Sequence, residues 1–244
     1  MILDLDMVLN DAGVDARYGL VGYGTNQKGG GPGQDPYQND VGGDQFGTAS
    51  EFSTAADGLV ASGGIEDGYE AIIFALNNYT IRSNAVLNIV LVTDEDRDVT
   101  TLDSYDSVLA ALTDKGAILN AVVNNPLGSS SSNLNALGID GNDAFFADGN
   151  GDYNTQAGNF VGNGAGNTEN DYVPMALATE GAVWNLNQLR VGGLTGESFT
   201  KAFVDIQVQE TVPDTRAVPE PTTVLGLLAF GGGCLLSKKN KFKQ

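Results

Sequence analysis

An apolar stretch at residues 86–92 constrains the fold of this 244-residue chain more than any other segment. It reads Val-Leu-Asn-Ile-Val-Leu-Val, which has the length of a β-strand. A near-continuous apolar run of this kind is typical of a parallel strand that is covered on both faces. The run leads directly into Thr93 and Asp94. We therefore expect an α/β fold in which this strand is central.

Helical and extended patterns alternate on both sides of this stretch, which predicts an open, doubly wound, mostly parallel sheet with helices on both faces. This α/β domain is expected to occupy residues 1–210, with Gly/Asn-rich insertions at 24–47 and 124–171, and residues 211–217 are expected to be a linker. Helices are predicted near residues 1–11, 52–60, 65–76, 102–116, 173–179 and 198–209, and strands near 17–23, 86–92 and 117–123.

The charge balance and two residue counts exclude several classes of function. The chain has 12 basic and 31 acidic residues, and residues 1–217 alone carry a net charge of −22, which argues against nucleic-acid binding. There is no histidine, so a Ser-His-Asp triad and histidine metal ligands are excluded. Cys234 is the single cysteine, which excludes an intramolecular disulfide and a cysteine-based zinc site. Any metal must be a hard cation held by oxygen atoms.

Residues 218–244 combine a short polar motif, an uncharged run and a basic end. The uncharged run covers residues 221–237 and lies at the short end of the roughly 17–25 residues that span a membrane as a helix. The lysines that follow it predict a cytoplasmic C-terminus and an acidic body on the outside. The motif is Pro219, Glu220 and Pro221, and the basic residues are Lys238, Lys239, Lys241 and Lys243.

This order of motif, span and basic end resembles the PEP-CTERM sorting signal of Gram-negative bacteria and cyanobacteria. The resemblance implies recognition by an exosortase, a membrane cysteine protease, with cleavage near the Pro-Glu-Pro motif. It also implies that the C-terminal transmembrane helix anchors the chain transiently in the inner membrane. The protein would then be released to the cell surface or the extracellular matrix.

Four stretches of the body, in their order along the chain, resemble a von Willebrand factor type A domain. They are residues 15–23, 63–72, 87–94 and 175–184. The resemblance implies an open α/β sheet and a non-catalytic adhesion or binding function toward a surface protein or polysaccharide. It also implies a Mg²⁺ site built from hydroxyl and carboxylate oxygens, with one coordination position open to an acidic group of the partner.

The residues of that metal site are only partly present. Asp94 matches the aspartate that follows the central strand, but no Asp-x-Ser-x-Ser occurs in the chain. The family's threonine falls near Ile65, where Glu66 and Asp67 could supply oxygens instead. We therefore expect a degenerate site for Mg²⁺ or Ca²⁺ at Asp94, Glu66 and Asp67. The alternative for Asp94 is that it caps the turn after the strand.

The beginning of the chain lacks two features that the rest of it implies. Met1 falls inside what should be the first helix of the type A domain, and no secretory leader is recognisable. We therefore expect a von Willebrand A-like fold whose first strand is missing, from an N-terminally truncated or wrongly assigned start. The neighbours of that strand would expose open sheet edges and make the product poorly soluble.

Two short acidic loops have the alternating spacing of calcium-binding loops, namely residues 94–98 and Asp148-x-Asn150-x-Asp152. Neither completes an EF-hand, because Val99 and Tyr153 stand where that motif needs glycine. The second loop is the better calcium candidate. The alternative interpretation is ordinary turn chemistry, which uses the same residue types.

Two functional alternatives to an adhesion module remain. The chain could be a passive matrix or spacer protein whose type A fold has lost its metal. It could also be a glycosidase that uses paired carboxylates, although 31 acidic residues supply such pairs by chance. We expect the protein not to be an enzyme.

Overall fold

The computed structural model describes residues 1–24, 35–59, 64–162 and 168–212. Residues 1–212 form one compact unit, and residues 213–244 are a separate unit that lies outside the described residues. The helices are α1 Ile2–Asp11, α2 Ala49–Ala56, α3 Gly68–Asn78, α4 Tyr105–Lys115, α5 Thr168–Ala178, α6 Leu186–Val191 and α7 Gly193–Thr211. The strands are β1 Leu20–Gly22, β2 Tyr37–Asn39, β3 Leu87–Thr93, β4 Ala117–Val123, β5 Leu127–Gly128, β6 Gly138–Asp140, β7 Asp143–Ala147, β8 Tyr153–Ala157, β9 Phe160–Val161 and β10 Val183–Asn185.

The main sheet is mixed, with six strands in the order β3-β4-β10-β6-β7-β8. Strands β3, β4 and β10 run parallel, and β6, β7 and β8 continue the sheet in antiparallel pairs. Strands β1 and β2 form a separate antiparallel pair, as do β5 and β9. The chain is therefore an α/β protein whose parallel half carries the alternating pattern predicted from the sequence.

Both faces of the sheet are covered by helices, as expected. Along β4, Leu119, Ala121 and Val123 point into a core shared with α3, α4 and α5. Val122, on the opposite face, joins a second core around Trp184, which α7 covers. Helix α1 contributes to a third apolar cluster, in which Leu5 and Leu9 pack with Val204 of α7.

Two expectations about the sheet are wrong. Residues 86–92 do not form a central strand, because β3 is the last strand at one end of the sheet among the described residues, and its Val90 and Val92 are 41% and 53% exposed. Residues 124–171 are not only an insertion, because β6, β7 and β8 come from them and extend the main sheet. The apolar pair Phe145 and Phe146 is what anchors this part, since both side chains are buried.

A partly buried polar cluster joins the C-terminal end of α7 to the start of β3 and the middle of β4. One oxygen of Glu210 accepts hydrogen bonds from the side-chain amides of Asn88 (2.7 Å), Asn120 (2.7 Å) and Gln207 (3.1 Å). The second oxygen of Glu210 is buried and has no hydrogen-bond partner. Burial raises the pKa of this carboxyl, and the negative charge of Asp140 adds to the effect.

We expect the E210Q variant to be more stable than the parent at neutral pH. A carboxyl whose pKa is raised by folding loses stability as the pH rises from its ordinary value near 4.5 through the folded-state value. Removing the charge should raise the melting temperature by about 2–4 °C at pH 7, which corresponds to roughly 1 kcal/mol in a domain of this size. At pH 4 the gain should vanish. E197Q changes an exposed glutamate of the same helix and serves as the control; an equal gain at both pH values would contradict the assignment.

Candidate functional site at the carboxyl ends of the parallel strands

The parallel strands β3, β4 and β10 end at the same edge of the sheet, which is where open α/β sheets bind ligands. The segment after β3 contributes most of the acidic side chains there, and the segment after β4 contributes asparagine. The start of α5 adds a hydroxyl group. Together they surround an open cavity of about 310 Å³, lined by Asp94, Glu95, Asp96, Asp98, Asn124 and Thr168.

Thr168 fixes the deep side of this cavity at the start of α5. Its backbone N–H and its hydroxyl both donate to one carboxylate oxygen of Asp96, at 3.1 and 2.9 Å. The hydroxyl also lies 3.3 Å from the carbonyl oxygen of Glu95. A carboxylate at the N-terminus of a helix is stabilised by the helix dipole and by the free backbone N–H groups. Asp96 therefore has a defined position relative to α5.

Glu66, one of the predicted ligands, lies beside the end of β3. Its carboxylate accepts a hydrogen bond from the Thr93 hydroxyl at 3.0 Å, and its backbone N–H donates to a carboxylate oxygen of Asp98 at 2.9 Å. Burial raises the pKa of the Glu66 carboxyl, and the nearby charges of Glu95, Asp94 and Asp98 raise it further. The structure thus places the Glu66 carboxylate close to the acidic side chains at this edge of the sheet.

Asp67 occupies a different position, at the N-terminus of α3. Its buried carboxylate accepts hydrogen bonds from the backbone N–H groups of Tyr69 and Glu70 and from the backbone and hydroxyl of Thr100. The guanidinium of Arg97 donates to both carboxylate oxygens, at 2.7 and 3.1 Å. Burial opposes the charged form, but these donors outweigh it and lower the pKa of Asp67. Asp67 is therefore a helix cap and ion-pair partner.

Asp94 lies on the outer rim of the cavity. Its carboxylate forms a 2.6 Å ion pair with the guanidinium of Arg190 on α6, and both side chains are about half exposed. Its backbone carbonyl accepts a hydrogen bond from the side-chain amide of Asn124, whose own oxygen accepts one from Asn187. The rim consequently ties the ends of β3 and β4 to the segment that follows β10.

Two of the three predicted Mg²⁺ or Ca²⁺ ligands have basic partners in this structure. In the described ranges, no three acidic, histidine or cysteine side chains are grouped so that they could hold a metal. Both carboxylate oxygens of Asp67 are occupied by donors, and Asp94 is paired with a guanidinium group. A cation held by Asp94 would compete with Arg190 for its carboxylate, and Mg²⁺ or Ca²⁺ binding by Asp94, Glu66 and Asp67 stays a prediction.

The second predicted calcium loop forms the turn between β7 and β8. One oxygen of Asp148 accepts hydrogen bonds from the backbone N–H groups of Asn150 (2.7 Å) and Asp152 (3.0 Å). Asp152 itself accepts from the ammonium group of Lys201 at 2.7 Å. These contacts are the turn chemistry that was the alternative interpretation, and the calcium role of Asp148, Asn150 and Asp152 stays a prediction.

The sorting motif, the apolar span 221–237 and the basic tail lie outside the described residues. Within the ranges that are described, none of the helices has the length and apolar character to cross a bilayer.

Sequence reasoning missed four residues that shape this edge. Arg97 and Arg190 hold two of the predicted ligands, while Thr168 and Asn124 line the cavity. Arg97 had a recognisable signal, since it is the single basic residue in the acidic run from Asp94 to Asp98. The other three lie far away along the chain, so no local pattern connects them to Asp94.

Comparisons with protein-family models, with curated proteins and with solved structures give no match for this chain. The function must therefore be inferred from the chemistry of the site.

Proposed function

We propose that this protein is an exported, non-catalytic binding module of the von Willebrand A type that binds cationic groups of a surface protein or polysaccharide. The observation that carries the proposal is the acidic cavity at the carboxyl ends of β3 and β4. Its position is the one that open α/β sheets use for ligands. Its lining is acidic, and its basic neighbour Arg190 lies on the rim.

The Asp94–Arg190 pair supports a cationic ligand. It is an exposed ion pair, and such pairs contribute only about 0–1 kcal/mol to stability. An ammonium or guanidinium group of a partner can therefore replace Arg190 at Asp94 with little loss of stability. The same group would also be attracted by the other carboxylates of the cavity. The absence of histidine from the chain and the simple hydrogen-bonding roles of Thr93 and Thr168 favour binding over catalysis.

The export part of the proposal rests on the sequence of residues 218–244 and their resemblance to a PEP-CTERM signal. A membrane exosortase would be the processing partner, and the cell surface or extracellular matrix the destination. The test is the intact mass of the protein purified from its own cells. A mass near that of residues 1–217 supports cleavage at the motif, and a retained tail would contradict it.

Binding at the cavity is tested with a lysine-rich peptide, hexalysine, by isothermal titration calorimetry. The double variant D94N/E95Q removes two exposed carboxylates of the cavity. It should weaken binding by about tenfold, because exposed ion pairs are worth up to about 1 kcal/mol each and tenfold corresponds to about 1.4 kcal/mol. The double variant D57N/D114N removes two exposed aspartates elsewhere and should leave the affinity nearly unchanged.

The metal requirement is tested in the same titration with added Mg²⁺, Ca²⁺ or a chelator. Direct recognition of a cation predicts that divalent ions compete with hexalysine or have no effect. Binding that requires a divalent ion would contradict this proposal and support the metal-dependent adhesion site expected from the sequence. Equal loss of affinity in both double variants would mean that only the net charge of the chain matters.

A passive spacer function is the second candidate. It is favoured by Asp67, whose oxygens are committed to Arg97, Thr100 and the start of α3. Asp67 and Asp94, two of the three predicted ligands, are thus each paired with an arginine. Absence of any binding to hexalysine, with an unchanged melting temperature in the presence of Mg²⁺ or Ca²⁺, would favour this candidate.

A further inference from the structure

The segment between β3 and α4 presents two large apolar side chains to solvent. Leu102 is fully exposed and Val99 is 72% exposed, which makes them the two most exposed large apolar side chains in the described part of the chain. Val99 directly follows Asp98, which lines the acidic cavity. Leu102 comes three residues later, so its Cα lies within about 11 Å of that of Val99. The cavity thus has an apolar neighbour on the same segment.

Hydrogen bonds to the start of α3 fix the backbone of this segment. The Arg97 guanidinium donates to both carboxylate oxygens of Asp67 and, at 2.9 Å, to the backbone carbonyl of Asp103. Thr100 donates to the same carboxylate through its backbone N–H and its hydroxyl. The backbone on both sides of the two apolar residues is therefore anchored. A surface that is ordered before binding loses less conformational entropy when a partner binds to it.

The same segment is strongly acidic, and its own basic residue does not balance this charge at the cavity. Residues 94–103 include five acidic residues and one basic residue, Arg97, whose side chain is 6% exposed and is committed to Asp67. Glu95 and Asp98 line the cavity and have no ion-pair partner within the ranges that are described. A basic group is therefore attracted to this position even when the Asp94 ion pair stays intact.

The apolar pair distinguishes between the two kinds of partner that a cation-binding module could have. A polysaccharide with amino groups can match the carboxylates, but it has no alkyl side chains to cover Val99 and Leu102. A protein segment can supply both a basic group and an apolar side chain. A second copy of this chain would be repelled, because residues 1–217 carry a net charge of −22.

We propose that residues 95–103 form a docking surface for an exposed segment of a partner protein, in which a lysine or arginine lies about two to four residues from a bulky apolar side chain. The basic group binds the carboxylates of Glu95 and Asp98, and the apolar side chain covers Val99 and Leu102. An extended segment advances by about 3.3 Å per residue, so this spacing matches the distance over which the two features are spread. The inference rests on the proposed cation-binding function and adds that the partner is a protein.

The test compares two peptides of equal charge by isothermal titration calorimetry with the full chain. One is acetyl-Lys-Lys-Ser-Leu-Ser-Leu-amide, and the other has serine in place of both leucines. The leucine peptide should bind at least about tenfold more tightly, because burial of one leucine side chain is worth at least that factor in affinity. The V99S/L102S variant should bind both peptides equally, with the affinity that the parent has for the serine peptide.

The matched control variant is L3S/V86S, which changes an exposed leucine and an exposed valine elsewhere and should keep the preference for the leucine peptide. Equal melting temperatures of both variants check that the fold is preserved. Equal affinity of the parent for the two peptides overturns this inference, as does a preference that persists in V99S/L102S. In either case binding of hexalysine would leave the proposed function standing.

Two further outcomes are informative about the partner. Failure of hexalysine and of both peptides to bind overturns the proposed function and this inference together. A hexamer of glucosamine, titrated at a pH where its amino groups are protonated, tests the polysaccharide directly. If it binds the parent more tightly than the leucine peptide does, and binds V99S/L102S equally well, the surface recognises a polysaccharide and the inference is wrong.

Discussion

Replacing Asp67 by alanine is expected to lower the free energy of unfolding by about 3–5 kcal/mol, which is the usual effect of removing one partner of a buried ion pair. The side chains of Asp67 and Arg97 are only 1% and 6% exposed. The substitution leaves the Arg97 charge buried without its partner. It also removes the cap from α3 and the acceptor for Thr100. Urea unfolding monitored by circular dichroism measures the change.

The matched control is D94A, which also removes an aspartate from an arginine pair. The Asp94–Arg190 pair is exposed, so its loss should change stability by less than about 1 kcal/mol. Similar destabilisation by both substitutions would contradict the different roles that the structure gives these two residues. The D67N variant should fall between D67A and the parent, since asparagine retains one acceptor oxygen for the cap.

The pH dependence of the Asp67 effect has a definite sign. Folding lowers the pKa of Asp67, so its contribution is complete above the ordinary value near 3.8 and is lost as the pH falls through the folded-state value. The difference in stability between the parent and D67A should therefore shrink in acid. Urea unfolding at pH 7 and at pH 3 compares the two; a difference that grows in acid would contradict the assignment.

Replacing Asn120 by leucine is the second substitution with a large expected effect, a loss of about 2–6 kcal/mol. The carbonyl oxygen of this buried side chain accepts hydrogen bonds from the Ala182 backbone (3.1 Å) and from the indole N–H of Trp184 (3.2 Å). Leucine leaves both donors buried without an acceptor, and each such group costs about 1–3 kcal/mol. Thermal and urea unfolding measure the loss.

The control for this substitution is N154L on the exposed strand β8, which should change stability by less than about 0.5 kcal/mol. Asn120 also donates to Glu210, so N120L and E210Q should not be additive. Because residues in one hydrogen-bond network couple by about 0.5–3 kcal/mol, a double-mutant cycle can detect this link. Strict additivity would mean that the two side chains act independently.

The ends of several helices could be predicted because the residues that cap them lie next to them in the sequence. The helix that ends at Gly116 could be placed because this glycine adopts the left-handed conformation that closes α4. The start of α2 could be placed because Thr48 is a good N-cap, and Glu51 completes the capping box. Both signals lie within a few residues of the elements that they bound.

The place of each strand in the sheet could not be predicted in the same way. An apolar run indicates burial but does not tell which strands are its neighbours, so β3 appeared central although it is an edge. Strands β6 and β7 are short and surrounded by turn residues. Their burial depends on Phe145, which stacks on Trp184 at 5.9 Å between ring centroids, 39 residues later in the chain. Such long-range contacts leave no local pattern.

The position of the candidate site could be predicted, but the ion pairs and hydrogen bonds of its acidic residues could not. Asp94 could be located because it directly follows an apolar strand, and Glu66 lies in the same negative field. The sequence could not separate Asp67 from Glu66, although one is a saturated cap and the other faces neighbouring acids. That distinction depends on Arg97. Its guanidinium lies over the ring of Tyr69 and donates a hydrogen bond to Asp67.

The two end strands of the main sheet differ in the polarity of their exposed side chains. Strand β8 closes the far end, and its residues from Asn154 to Ala157 are all exposed and mostly polar. A strand that joined this end would have to displace bound water and would gain little contact in return. The far end at β8 is therefore a poor template for growth of the sheet, because an added strand would bury few apolar side chains there.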